Sequence, residues 1–148
     1  MRRLFALALI TTVAACASEP ISAPPPSAPL AGTYQVNAAF EGVPTNMAST
    51  TGTITFARAS ATDTTLIASA NLVVSINGAT MTLTEISDLQ LAPNGALSFK
   101  VETLNPDATW SWSGLRASET KIAGRNSLAS PGVESSPGSF TMVRIDSL

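Results

Sequence analysis

The chain contains no histidine. This removes the commonest general base and the commonest metal ligand together. A Ser-His-Asp or Cys-His catalytic arrangement is therefore excluded. Cys16 is the only cysteine, so no internal disulfide can form and thiolate zinc sites lack their ligands. Charge is also scarce, with 12% of residues charged against the usual ~25%. No basic cluster marks a nucleic-acid binder. No polybasic run marks a membrane-surface patch either, so any membrane contact must come from elsewhere. There is no Gly-rich phosphate loop between a strand and a helix. Asn105 and Asp107 offer oxygens to a calcium ion, but a hard cation needs about six or more and no Asp-rich loop supplies them. The inventory implies no cofactor, no metal and no enzyme; only a carboxylate or lysine mechanism would remain.

What is present begins with an address. Met1-Arg2-Arg3 is a charged start, followed by the apolar run Leu4-Phe5-Ala6-Leu7-Ala8-Leu9-Ile10 and small residues up to Ala15. That is the layout of a signal peptide. The apolar run falls far short of the ~20 residues that span a bilayer. Loss of residues 1–15 would remove Arg2 and Arg3 and leave six basic against ten acidic residues.

Val13-Ala14-Ala15-Cys16 resembles the lipobox of bacterial lipoproteins: an aliphatic residue, two small residues, then cysteine. The resemblance implies a diacylglycerol on the Cys16 thiol, cleavage before Cys16 by a dedicated signal peptidase, and acylation of the new amine. Val13, Ala14 and Ala15 would be the peptidase recognition residues. An ordinary signal peptide cut near Ala15 or Ala17 is the competing expectation. Two or more acyl chains anchor stably where one does not. Ala17, rather than an aspartate, follows the cysteine. By resemblance to enterobacterial sorting, this points to the outer membrane, facing the periplasm or the surface.

Residues 17–29 carry Pro20, Pro24, Pro25, Pro26 and Pro29, half of the chain's ten prolines. Such a stretch favours extended polyproline II and would reach ~40 Å. The expected organisation is a signal peptide over residues 1–15, a lipidated cysteine and tether over 16–29, and one domain over 30–148.

From Leu30 the pattern turns to period two, the mark of half-buried strands. Tyr34, Val36, Ala38 and Phe40 share one face; Ile54 and Phe56 share another over residues 51–58. Residues 66–76 repeat the pattern, and Asn77-Gly78 is a hairpin turn signal. The phase is disturbed near Glu85 and Asp88, which predicts a bulge or break. An unbroken strand would instead bury Glu85 with Asp88 nearby, a conceivable carboxylate pair. Leu97, Phe99 and Val101, then Trp110 and Trp112, then Ile122, then Phe140, Met142 and Arg144 continue the inward rows. Gly114 ends one predicted strand, and Pro131-Gly132 with Pro137-Gly138 frame a predicted loop. About eight strands with short turns predict an all-β domain: an eight-stranded antiparallel up-and-down meander closed into a barrel, with a two-sheet β-sandwich as the alternative.

Gly32-Thr33-Tyr34 resembles the Gly-x-Trp opening of lipocalins and related calycin barrels, with tyrosine for tryptophan. In that family a late arginine packs over the opening ring, which makes Tyr34 and Arg144 the candidate barrel-closing pair. Two interiors fit such a barrel. Ala38, Ala68 and Ala70, with Trp110 and Trp112, would line a cavity for a small apolar ligand. Alternatively the aromatic side chains fill the space, the default for protein interiors. The expected role is a non-catalytic binding or interaction module, partnered by the membrane through its lipid, and by a small apolar ligand or an envelope protein.

Overall fold

The computed structural model describes residues 30–59 and 65–146. The expected signal peptide, Cys16 and the expected tether lie outside them. Eight strands follow one another: β1 (Gly32–Phe40), β2 (Ala48–Arg58), β3 (Leu66–Ile76), β4 (Ala79–Leu91), β5 (Ala96–Val101), β6 (Thr109–Arg116), β7 (Lys121–Ser130) and β8 (Val133–Arg144). Each pairs antiparallel with the next, and β8 returns to pair with β1. The result is a closed up-and-down barrel and not a two-sheet sandwich.

The period-two rows explain this. In β1, Tyr34, Val36, Ala38 and Phe40 are buried while Asn37 is exposed. In β3, Ala70, Leu72 and Val74 are buried between exposed Ser69, Asn71 and Val73. The β3–β4 turn holds Asn77 at φ 50° and Gly78 at φ 82°, the positive values a tight hairpin requires.

The disturbance in β4 is two register slips. One lies between the pairs Leu72↔Leu83 and Ser69↔Glu85. The other lies between Ser87↔Lys100 and Gln90↔Ser98, where Asp88 adopts φ 51°. The first slip sets Glu85 opposite exposed Ser69 and turns it to solvent, while Ile86 packs on the core.

Several strand limits depart from the sequence reading. β2 begins earlier, at Ala48, which brings Ala48 and Thr50 inside. β7 extends from Lys121 to Ser130 around Ile122. β6 does not end at Gly114 but continues to Arg116. Gly114 stands in the inward row, where a Cβ would lie 2.8 Å from Phe140 Cζ, so its missing side chain makes room for that ring. Pro137-Gly138 is not a loop; it lies within β8. The Pro137 carbonyl accepts from Glu41 N–H at 2.8 Å, just past the end of β1. The absent proline N–H therefore points where no ladder partner is needed, the position strands tolerate. Leu91, at the end of β4, is 46% exposed.

Candidate functional site

The barrel interior is occupied. Tyr34, Ile54, Phe56, Leu72, Trp112, Ile122 and Met142 are each under 2% exposed. Ring contacts run through it without a gap. Tyr34 meets Phe56 edge-on at 5.6 Å, Phe56 meets Phe99 at 6.3 Å, and Phe99 stacks on Trp112 at 5.6 Å. Trp112 touches Phe140 at 4.7 Å and Trp110 at 5.1 Å, and Trp110 stacks on Phe40 at 5.8 Å. All aromatic side chains among the described residues are in this column, and none forms an outward girdle. Ala38 and Ala70 are buried and Ala68 is half-buried, all packed in or against the same core.

Three polar atoms inside this core have no partner among the described residues: Thr50 Oγ1, Trp112 Nε1 and Asn126 Nδ2. Trp110 differs from its neighbour, because its Nε1–H donates to Asn126 Oδ1 at 3.3 Å. An unpaired buried donor carries a cost of about 1–3 kcal/mol.

The two barrel ends differ. The proximal end holds the start of β1, where the upstream chain joins at buried Leu30, together with the turns after β4 and β6 and the last residues after β8. Tyr34 and Arg144 face each other directly across the β1–β8 seam. The Tyr34 hydroxyl donates to the Leu30 carbonyl at 3.0 Å. Burial pushes the Tyr34 phenol above its usual range, and the Arg144 and Arg116 guanidiniums offset only part of this. The Arg144 guanidinium lies against Gly32, where a Cβ would stand 2.8 Å from Nε, and it donates to Asp146 Oδ1 at 2.9 Å. Desolvation raises the Asp146 carboxyl, but bonds from the Thr33 backbone and Arg144 outweigh it and hold that carboxyl below its usual range. This seam fastens the first and last strands to each other.

The distal end holds the residues between β1 and β2, the Asn77-Gly78 turn, the β5–β6 connection and the Pro131-Gly132 turn. A cleft of ≈ 480 Å³ opens here over Phe40, Val43, Met47, Ile76 and Leu128, rimmed by Glu134. Met47 is 48% exposed, and Leu104 on the same end is 75% exposed.

The other candidates resolve into local structure. Asp88 pairs with Lys100 at 2.7 Å, and this bond, first among several causes, raises the lysine above its usual range. Asp88 does not pair with Glu85. Ser87 donates instead to Glu102. Asn105 Oδ1 accepts from the Asp107 backbone N–H at 3.1 Å, which spends Asn105 on a turn. Among the described residues no three carboxylates converge on a cation site. No described helix is long and apolar enough to cross a membrane. Cys16, Val13, Ala14 and Ala15 lie outside the described residues. Comparison with protein-family models, curated proteins and solved structures finds no match.

Proposed function

We propose that this chain is a cell-envelope lipoprotein: cut before Cys16, lipidated there, and held at the outer membrane by the proline-rich residues 17–29. The barrel then serves as a non-catalytic interaction module whose working face is the distal end. The ring column from Tyr34 to Phe40 carries the choice of module over carrier. A small apolar ligand inside the barrel would need the volume that Phe56, Phe99 and Trp112 occupy. The exposed apolar residues at the distal end are what an envelope-protein partner would cover. The barrel is lipocalin-like in this reading, with Tyr34 and Arg144 in the places of that family's opening aromatic and late arginine. A carboxylate enzyme has less support, because Glu85 is exposed and Asp88 is engaged with Lys100.

Mass spectrometry of the processed protein tests the anchor. It should begin at Cys16 and carry the mass of a diacylglycerol and an acyl chain; an intact, unacylated thiol would sink it. Titration with a fluorescent fatty acid tests the filled interior. No saturable transfer from Trp110 and Trp112 is expected, and stoichiometric uptake would restore the carrier.

A further inference from the structure

Cations that are scattered in sequence are gathered in space. Arg58 ends β2, Arg116 ends β6, Lys121 begins β7 and Arg144 ends β8, so all four stand at the proximal end. Glu119 and Asp146 are the carboxylates beside them among the described residues. The distal end has the opposite character. Glu41, Glu102, Asp107 and Glu134 stand there, and the cations nearest them among the described residues are Lys100, two positions before Glu102, and Arg125. Lys100 and Arg125 lie on the wall between, paired with Asp88 and Glu41 at 2.7 Å.

Exposed aliphatics accompany the proximal cations. Ile67 near the start of β3, Leu115 near the end of β6, and Val143 and Ile145 at the end of β8 are 53%, 58%, 43% and 56% exposed. Val143 is the direct register partner of Lys121. Arg116 is steered by its own turn, donating to the Ser118 and Glu119 carbonyls at 3.2 and 2.9 Å. A surface that presents Arg58 and Lys121 beside aliphatic side chains suits the boundary between anionic headgroups and acyl chains.

The geometry points to an anionic lipid bilayer as the occupant of this end: the barrel stands on it, and the acidic distal end faces away. This rests on the lipid-anchor reading above. The point of attachment agrees with that side, because residues 1–29 join the barrel at Leu30, on the proximal end. The tether's ~40 Å reach would otherwise let the barrel tumble freely. Charge decides the orientation, since an anionic surface attracts Arg58 and Lys121, both exposed, and repels Glu102, Asp107 and Glu134, while Glu41 is paired with Arg125. The sequence hides this arrangement because no two of the four cations are close neighbours along the chain except Arg116 and Lys121.

The test uses the full chain, processed in a bacterial host and reconstituted into vesicles of phosphatidylcholine with or without phosphatidylglycerol. A fluorophore is placed at the proximal end through Ser118→Cys, or at the distal end through Leu104→Cys. Quenching by a nitroxide on lipid headgroups is then read. On anionic vesicles the Ser118 label should be quenched several-fold more than the Leu104 label. The difference should vanish in Arg58→Glu/Lys121→Glu, and on raising salt from ~0.1 to ~1 M, where the screening length falls from about 10 to about 3 Å. Both substituted side chains are exposed, so the fold is retained. Protein that sediments with the vesicles while both labels are equally quenched overturns the docked orientation and leaves the anchor standing. Protein that does not sediment overturns both. Label-to-label contact between a distal and a proximal end, with neither quenched, would identify a second copy as the occupant and overturn the lipid surface.

Discussion

Replacing each indole by a phenyl ring, one at a time, separates two kinds of buried nitrogen. Trp110 and Trp112 are 2% and 1% exposed and sit two residues apart on the same inward row of β6. Trp110→Phe and Trp112→Phe remove the same atoms from the same core, so their packing losses are similar. The polar terms have opposite signs. Trp110→Phe deletes the bond to Asn126 and leaves Asn126 Oδ1 without its donor, in a residue only 3% exposed. Trp112→Phe deletes an N–H that already has no partner. With an unmade buried bond worth about 1–3 kcal/mol, Trp110→Phe should be the more destabilising by ~2 kcal/mol. Urea unfolding followed by the emission of the remaining tryptophan reads this directly. At a slope of ~1–2 kcal/mol/M, the two midpoints should differ by about 1–2 M. Midpoints that coincide, or a costlier Trp112→Phe, would refute the reasoning and show that Trp112 Nε1 is satisfied in solution.

Two further outcomes follow from the same packing. Tyr34 is the only tyrosine, and its pKa is raised by burial, so the unfolded chain releases the phenolic proton first as pH rises. Stability should therefore be constant in this term below about pH 10 and fall above it toward the folded pKa. Tyr34→Phe should cost roughly 1 kcal/mol at neutral pH through the lost Leu30 bond and should lessen the alkaline decline; an undiminished decline would assign it elsewhere, with Lys100 the first suspect. Gly114→Ala should cost about 1–3 kcal/mol by thrusting a methyl at the Phe140 ring and the Ala123 carbonyl. Combined with Phe140→Leu it should cost less than the two single changes together, and strict additivity in thermal unfolding would argue against the contact.

The inward rows were legible because period two is a local signal and each strand has one wet face. Tyr34 to Phe40, Ala70 to Val74, Leu97 to Val101 and the tryptophan pair all lie where alternation puts them. The strand limits were less legible because Gly and Pro acquire meaning from their neighbours across the barrel. Gly114 continues a strand because Phe140 needs its space, and Pro137 continues one because β1 ends beside it. Both facts depend on residues far away in the chain. The phase loss near Glu85 and Asp88 was visible, but the choice between burial and exposure for Glu85 was made by a slip against Ser69. The difference between the two tryptophan nitrogens left no trace in composition or spacing; it depends on where Asn126 directs one amide oxygen. The polarity of charge along the barrel was hidden for the same reason, since it is a property of strand direction.

The seam between the first and last strands also has a bearing on timing. Tyr34↔Arg144 through Phe40↔Gly138 join residues more than ninety positions apart. In synthesis from the N-terminus, β8, the strand that shuts the barrel, emerges after the other seven. Until then β1 and β7 each present an open ladder to any passing strand, and the inner face of β1 stays wet. Closure of so long a loop adds little to the equilibrium cost but slows the reaction. Closure would thus wait on β8, and the interval before it arrives is when a holding chaperone has something to hold. A premature stop anywhere in β8 would leave that interval open for the life of the molecule.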